Sequence, residues 1–414
     1  MSSVHFPSIN IREIIEHKAV ETHFQAIASI RKKSIVGLEA LSRGMNGNGN
    51  QIPPLTLFRL AAANGLTLEL DRLCRATAVE SFLPLHAANP DLILFVNCQT
   101  STIARDAVDF NGLLNLVRRL NIDPPNVAIE ILESEFKDAT RLRESIARYK
   151  SCGFLVALDD VGTGHSNLDR IVYVKPDILK ADRSLVHDIH NDYYKQEVLK
   201  SLVKLSEKIG GWVIVEGVEK QEEAIVALDL GADMLQGFYF ARPHKIERND
   251  GIQYDLDRVH NTAARFKGYT LGKIKVAQSQ HQKRLVIAKD IANKLEQIGA
   301  ESFERKLTEL IDPYPMIQSV CILDESGTQI SETILNSQEA QLQKTIIFRP
   351  PCKGTDHSLK EYYYVLMEAQ IEPFETGAYV PLPSGDLCIT VSTSFKNANR
   401  GMLILCLHIN VDRA

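Results

Sequence analysis

Between about residues 20 and 245, short runs of β-forming residues alternate with longer stretches whose apolar positions recur at helical spacing. Ser34 to Leu38, Leu92 to Val96, Val127 to Ile129, Phe154 to Leu158 and Trp212 to Val215 read as strands. Leu55 to Asn64, Leu70 to Leu83, Asn111 to Leu120, Thr140 to Cys152, Lys195 to Ile209 and Lys220 to Leu230 read as helices. Gly153 and Gly231 stand just past two of these helices, where a left-handed C-cap suits glycine, and a strand resumes after each. Strands alternating with helices predict a parallel sheet joined by crossovers. Roughly eight strand positions over about 225 residues match the size of a (β/α)8 barrel.

After Arg242-Pro243 the pattern changes. Leu285, Ala288, Ile291, Ala292, Leu295 and Ile298 recur at three- and four-residue intervals in a charge-laced connector helix. From Met316 onward the text is hairpin-like: Ile317 to Leu323, a turn over Asp324-Glu325-Ser326-Gly327, then Thr328 to Ile334. A second pair, Leu387 to Phe395 and Met402 to Val411, flanks Lys396 to Gly401, and a helix is expected around Leu359 to Ala369. The expected organisation is therefore a barrel over 1–250, a helical connector over 251–312 and a small α+β domain over 313–414.

Composition narrows the classes. A 414-residue chain with 44% hydrophobic and 24% charged residues can bury a full core in each of two domains. Its net charge of -5 gives no reason to expect a nucleic-acid polymer as partner. The seven scattered cysteines contain no CxxC pair and read as reduced, buried thiols. The N-terminal MSSVHFPSINIREII lacks the layout of a signal peptide, and no run approaches the ~18 apolar residues of a membrane span, so membrane insertion is not expected and a cytoplasmic location is.

Chemistry concentrates at the ends of the barrel strands. Glu39, Asn97, Glu130, Asp159, Asp160, Glu216, Glu219 and Gln236, with Lys180 among them, each follow or end a β-forming run. Hard oxygen donors at several strand ends read as a site for magnesium, manganese or calcium. The loop Asp159-Asp160-Val161-Gly162-Thr163-Gly164 has a superficial likeness to a dinucleotide-binding turn, but Asn167 stands at the third glycine position and two acids would repel a bare pyrophosphate. Adjacent carboxylates beside phosphate become favourable when cations lie between them, and two ions ~4 Å apart suit phosphoryl displacement by water. Lys180 could orient the water, take its proton or balance charge, and Arg43 could clamp a phosphate. Taken singly, each residue has a plainer reading as a cap, a loop anchor or half an ion pair. His187 and His190 share a helical face but lack a third ligand, and read as solvated surface.

Those same residues carry a family resemblance. Gly37-Leu38-Glu39-Ala40-Leu41-Ser42-Arg43 resembles the signature of the EAL-domain family of cyclic-di-GMP phosphodiesterases. Val96-Asn97, Glu130-Ile131-Leu132-Glu133-Ser134, Asp159 to Gly164, Ile178 to Ser184, Val215 to Glu219 and Leu235 to Phe238 then resemble its further motifs in family order, over about residues 20 to 245. The resemblance implies a modified TIM barrel that opens the cyclic dinucleotide c-di-GMP to linear pGpG with two Mg2+ or Mn2+ ions, Ca2+ being inhibitory. It implies metal ligation by Glu39, Asn97, Glu130, Asp159, Asp160 and Glu216, water activation by Lys180, and Glu219 and Gln236 completing the site. It implies substrate contacts from Gln25, Leu41, Arg43, Asp182 and Gln236, with Glu133 steadying the glycine loop. Leu132, Val161 and His165 depart from the family pattern, which raises the alternative of a weakly catalytic c-di-GMP receptor that signals to a partner protein. The C-terminal segment somewhat resembles PAS- or Cache-like sensor domains. That likeness implies a homodimer regulated by a small-molecule or protein signal.

Overall fold

The computed structural model describes residues 10–47, 49–99, 107–132, 139–162, 169–246, 256–336, 350–380, 386–398 and 400–411. Glu133, Gly164 and His165 lie outside the described residues. The chain divides into two compact units between Thr270 and Leu271, each described separately below.

The first unit is a closed barrel. Its strands are β1 (Val20–Ser29), β2 (Ser34–Met45), the two-residue β3 (Gln51–Ile52), β4 (Ile93–Cys98), β5 (Val127–Leu132), β6 (Leu155–Val161), β7 (Ile178–Ala181), β8 (Trp212–Val215) and β9 (Met234–Gln236). Pairing runs β1-β9-β8-β7-β6-β5-β4-β2, and the β1–β2 contact closes the ring. The parallel crossover pattern expected from the sequence holds from β2 round to β9. β1 departs from it, running antiparallel to both neighbours. The reason is local: only Ile30 to Lys33 separate β1 from β2, with Lys33 at φ 54, and so short a link makes a hairpin and not a crossover.

Strand alternation sorts the barrel residues into two sets. Leu94, Val96, Val127, Ile129, Val156, Leu158, Val213 and Val215 face outward into the large core beneath the surrounding helices. Ile27, Phe95, Ala128, Ala157, Ile178, Ile214 and Met234 face inward and form a dry interior layer. Gly37 belongs to the inward set because Phe95 fills its space: a Cβ there would sit 2.6 Å from the Phe95 ring. Gly237 is tighter still, its would-be Cβ lying 2.1 Å from the carbonyl oxygen and 2.3 Å from the nitrogen of Val218. This approach lets Val218 N–H donate to the Gln236 carbonyl at 3.0 Å and Tyr239 N–H donate to the Val218 carbonyl at 3.0 Å.

In the second unit, β10 (Ile317–Leu323), β11 (Ile334–Leu335), β12 (Phe374–Glu375), β13 (Cys388–Asn397) and β14 (Gly401–Asn410) form an antiparallel sheet in the order β11-β10-β14-β13-β12. The β13–β14 hairpin matches the sequence pattern. The expected strand over Thr328 to Ile334 is mostly irregular, with a bridge at Gln329 and two-residue pairing at Ile334–Leu335. Ser331 and Gln329 explain this, because their side chains bond backbone at Ile322 and Ser331 in place of a ladder. The connector is one helix, Leu256–Leu295, longer than its apolar repeat indicated. Its last turns pack Ile287, Ala288, Ile291, Ala292 and Leu295 with the helix Phe303–Ile311 on one sheet face. Arg284 and His281 both hold Glu375 of β12. No helix among the described residues is long and apolar enough to cross a membrane.

Gly237→Ala should destabilise the protein by about 1–3 kcal/mol, since backbone and not a movable side chain meets the new methyl. Gly112→Ala, in a helix with open space around it, should instead stabilise by about 0.5–1 kcal/mol. Denaturant midpoints measured side by side check both.

Candidate active site

Stepping two residues along each strand from the dry interior layer reaches the candidate site. Ile27 leads to Gln25, Gly37 to Glu39, Phe95 to Asn97, Ala128 to Glu130, Ala157 to Asp159, Ile178 to Lys180, Ile214 to Glu216 and Met234 to Gln236. Side chains two apart on a strand share a face, so one polar layer sits directly on one apolar layer.

At the centre of the polar layer is Lys180, fully buried. Its Nζ lies 2.5 Å from Glu130 Oε1, 2.5 Å from Glu216 Oε1, 3.2 Å from Asp159 Oδ1 and 3.7 Å from Glu39 Oε2. Burial alone would lower the Lys180 pKa, but Asp159, Glu130, Glu216 and Glu39 together outweigh it and hold it well above its ordinary range. Burial pushes the Glu130 and Glu216 carboxyls well above the usual carboxylate range, over the opposing pull of Lys180. One ammonium therefore faces four acidic side chains, and burial favours the protonated form in two of them. Glu130 is completely buried, and its Oε2 has no partner among the described residues.

Asp160 joins this layer through a break in strand regularity. On an ideal strand it would point away from Asp159, but the β6–β7 register shifts between Leu158 and Val161, and Asp160 takes φ 56. The bulge places one oxygen each of Asp159, Asp160 and Glu216 within 4.8 Å of one another. Burial, then the charges of Asp159 and Asp182, raise the Asp160 carboxyl to about 6. Hard oxygens gathered this closely, with an unpartnered buried carboxylate oxygen beside them, fit divalent cations of the magnesium, manganese or calcium type.

A chain of amides fixes Glu39. Gln25 Nε2 donates to the Ala241 carbonyl at 3.1 Å, and Gln236 Nε2 donates to Gln25 Oε1 at 3.2 Å and to Glu39 Oε2 at 2.5 Å. Asn97 Nδ2 donates to Glu39 Oε1 at 3.3 Å. Beside Glu39 and Asn97 lies a cavity of about 330 Å³ lined by Leu41, Leu55, Phe58, Asp71 and Arg75 among others. Arg43, on the same face of β2 as Glu39, is half-buried and donates to the Ser42 carbonyl at 2.9 Å.

Two other sequence candidates bond groups in the adjoining loops. Asp182 caps a short helix, accepting from Ser184 N–H at 2.8 Å, and Glu219 pairs with Arg183 at 3.0 Å. Val161 is buried in the outer core, so its departure from the family pattern changes packing. His187 lies near Asp188 and Glu223, yet Lys220 is ion-paired with Asp188, and Glu223 accepts the backbone N–H groups of Asp188, Glu219 and Lys220. That group is a tie between two loops.

Two features escaped the sequence reading. The buried ion pair Arg75–Asp71, at 3.0 Å, forms part of the cavity wall; its trace in the sequence is an acid and a base four apart on the otherwise apolar stripe of Leu70, Cys74 and Ala78. The Glu223 tie left no comparable trace, because its partners are backbone groups.

Comparison with known proteins places this geometry. Residues 9–243 match the model of the EAL domain. The chain is 29% identical over 235 residues to the cyclic di-GMP phosphodiesterase PdeR of Escherichia coli K12, covering 56% of this chain and 35% of that protein, so it spans about a third of that relative's length. It is 26% identical over 379 residues to the EAL-domain protein YkuI of Bacillus subtilis, covering 89% of this chain and 90% of YkuI. The YkuI crystal structure in complex with substrate c-di-GMP and calcium matches with a TM-score of 0.78 at 22% identity, over 97% of this chain and 99% of that one. Klebsiella pneumoniae BlrP1, in a manganese and cyclic-di-GMP complex, matches with a TM-score of 0.51 at 27% identity, over 60% of this chain and 59% of that one. With more than half of its length matched and the polar layer in the expected order on the barrel strands, the chain belongs to the EAL domain family.

Proposed function

We propose that this protein is a divalent-metal-dependent phosphodiesterase that hydrolyses c-di-GMP to linear pGpG. The observation that carries the reading is the single buried ammonium of Lys180 facing the carboxylates of Glu39, Glu130, Asp159 and Glu216 inside a closed barrel. Burial opposes ionising Glu130 and Glu216 beside one ammonium, and a doubly charged cation bound among these oxygens would favour their charged forms.

In this reading Glu39, Asn97, Glu130, Asp159, Asp160 and Glu216 hold two Mg2+ or Mn2+ ions. When bound, the ions lower the pKa of water at neutral pH and neutralise charge on the phosphodiester. The remaining work belongs to the protein. Lys180, buried at the centre of the acidic layer, activates the attacking water in this reading. Gln236, braced by Gln25, holds Glu39 in one rotamer. Arg43 supplies a guanidinium on the Glu39 face for a phosphate oxygen. The cavity beside Glu39, with Leu55 and Phe58 on one side and the Asp71–Arg75 pair on the other, suits a base, which has apolar faces and polar edges. Glu219 anchors Arg183 at the rim, and Asp182 and Leu41 shape the substrate side. Beyond the barrel, residues 313–414 serve as a PAS- or Cache-like regulatory domain, and the working form is a cytoplasmic homodimer.

Purified protein with Mg2+ or Mn2+ should convert c-di-GMP to pGpG, and Glu39→Ala should reduce turnover by at least about 100-fold. Product analysis beside calorimetry separates the alternatives: binding without turnover supports a receptor, and neither binding nor product under either metal removes the assignment.

Lys180→Met leaves the carboxylates without their buried counter-charge and should destabilise the metal-free protein by about 3–5 kcal/mol. Saturating Mg2+ should restore more stability to this variant than it adds to the wild type, since binding to the native state alone contributes about 2.7 kcal/mol at 100 times Kd. Thermal unfolding with and without metal measures both terms.

A further inference from the structure

The second unit holds a buried polar cluster that the barrel chemistry does not use. Cys321 on β10 and Cys406 on β14 are direct cross-strand partners, both are free thiols, and both are fully buried. Backbone bonding fixes the type of pair. Ile322 turns to the opposite edge, its N–H donating to Ser331 Oγ at 3.0 Å and its carbonyl accepting from Ile330 N–H at 2.9 Å. The N–H and carbonyl of Cys321 therefore face β14. Hydrogen-bonded antiparallel partners have Cα atoms ~5.5 Å apart, inside the roughly 4.4–6.8 Å that a disulfide spans. The two thiols thus face each other across adjacent strands in register.

The surroundings favour a thiolate at Cys321. His408 follows Cys406 by two residues on the same sheet face, which sets its imidazole beside the thiol pair. Nδ1 of His408 lies 2.9 Å from Thr390 Oγ1 and 3.2 Å from the Tyr379 hydroxyl. His357 is held by the Tyr362 hydroxyl at 2.6 Å and Gln329 Oε1 at 2.9 Å. The hydrogen bond from Cys406, then those of His408 against the opposing effect of burial, pull the Cys321 thiol down to about 5. Tyr362 and Leu366, from the helix Glu361–Glu368, pack over the pair. That helix is short, and its opening would admit a small neutral oxidant.

We propose that Cys321 and Cys406 form a peroxide-reactive dithiol that closes reversibly to a cross-strand disulfide. The Cys321 thiolate attacks a hydroperoxide oxygen; the O–O bond breaks, a sulfenic acid forms on Cys321, and the leaving oxygen departs as water with a proton from the solvent or His408. The Cys406 sulfur then attacks that sulfenic sulfur, the S–S bond forms, and the sulfenic oxygen leaves as a second water carrying the Cys406 proton. In sum, two thiols and one hydrogen peroxide give one disulfide and two waters.

The full chain is treated with hydrogen peroxide, quenched, denatured, alkylated with iodoacetamide and mapped by mass spectrometry. The expected product is a Cys321–Cys406 linked peptide, lighter by two hydrogens and returned to two alkylated cysteines by dithiothreitol. Cys406→Ser should stop at a sulfenic acid on Cys321 that dimedone captures. His408→Gln should move the acid limb of the pH profile of disulfide formation upward, so that the reaction slows at acid pH and is little changed above neutrality, where the thiol is ionised in both proteins. Full alkylation of both cysteines after peroxide, or oxidation confined to the exposed Cys352, overturns the proposal. The wild-type map decides this even where a variant fails to fold, and the result is independent of phosphodiesterase activity.

Discussion

Everything in the barrel is arranged around one electrostatic constraint: a fully buried ammonium must be surrounded by carboxylates, and the carboxylates must be brought out of water to reach it. Desolvating such a group costs several kcal/mol per ion, and the attraction repays that only with close geometry. A closed barrel can supply it. Parallel strands β4 to β9 set their inward residues at nearly one height, so Asn97 pairs in register with Glu130, and Lys180 lies beside Ile214, two residues before Glu216. The dry layer below excludes solvent from beneath, leaving the mouth as the approach for water and ions.

Two irregularities complete what regular strands cannot. A strand alternates faces, so consecutive aspartates cannot both point inward unless the backbone breaks step; the bulge at Asp160 does this at the cost of a left-handed non-glycine residue. At β9 the constraint is space. Gly237 lets the Val218 backbone approach closely, and this pins Gln236 where its amide reaches Glu39 and Gln25 together. The ligand set and its bracing are thus products of backbone geometry as much as of side-chain identity.

This explains what was legible in the sequence. Strand positions and the order of site residues showed plainly, because burial on both faces demands apolar runs and each run ends where the polar layer begins. Glu39, Glu130, Asp159, Lys180 and Glu216 could be named as a group because acids and a lysine ending apolar strands are conspicuous. The reversed direction of β1 was hidden, since an isolated apolar strand carries no mark of the direction in which it pairs. Asp71 and Arg75 were hidden because an acid and a base four apart on a helix ordinarily read as a surface pair, and only packing shows them buried. Asp182 and Glu219 stood among the expected site residues; in the structure Asp182 caps a short helix while its charge acts on Asp160, and Glu219 pairs with Arg183. In the second unit, side chains of Gln329 and Ser331 satisfy backbone that a hairpin ladder was expected to use.

The two buried polar clusters call for different chemistry because they are satisfied to different degrees. In the barrel, acidic groups outnumber the basic one, and Glu130 Oε2 lacks a hydrogen-bond partner among the described residues, a donor set that suits a divalent cation. In the sheet of the second unit, the imidazoles of His357 and His408 each have hydroxyl or amide partners, and the two thiols face each other across adjacent strands. Such a cluster, built of imidazoles, hydroxyls and thiols, carries no excess of acids to draw in a cation. What it can offer is reactivity in its own atoms, and a stabilised thiolate opposite a second thiol is a group whose own bonds can change.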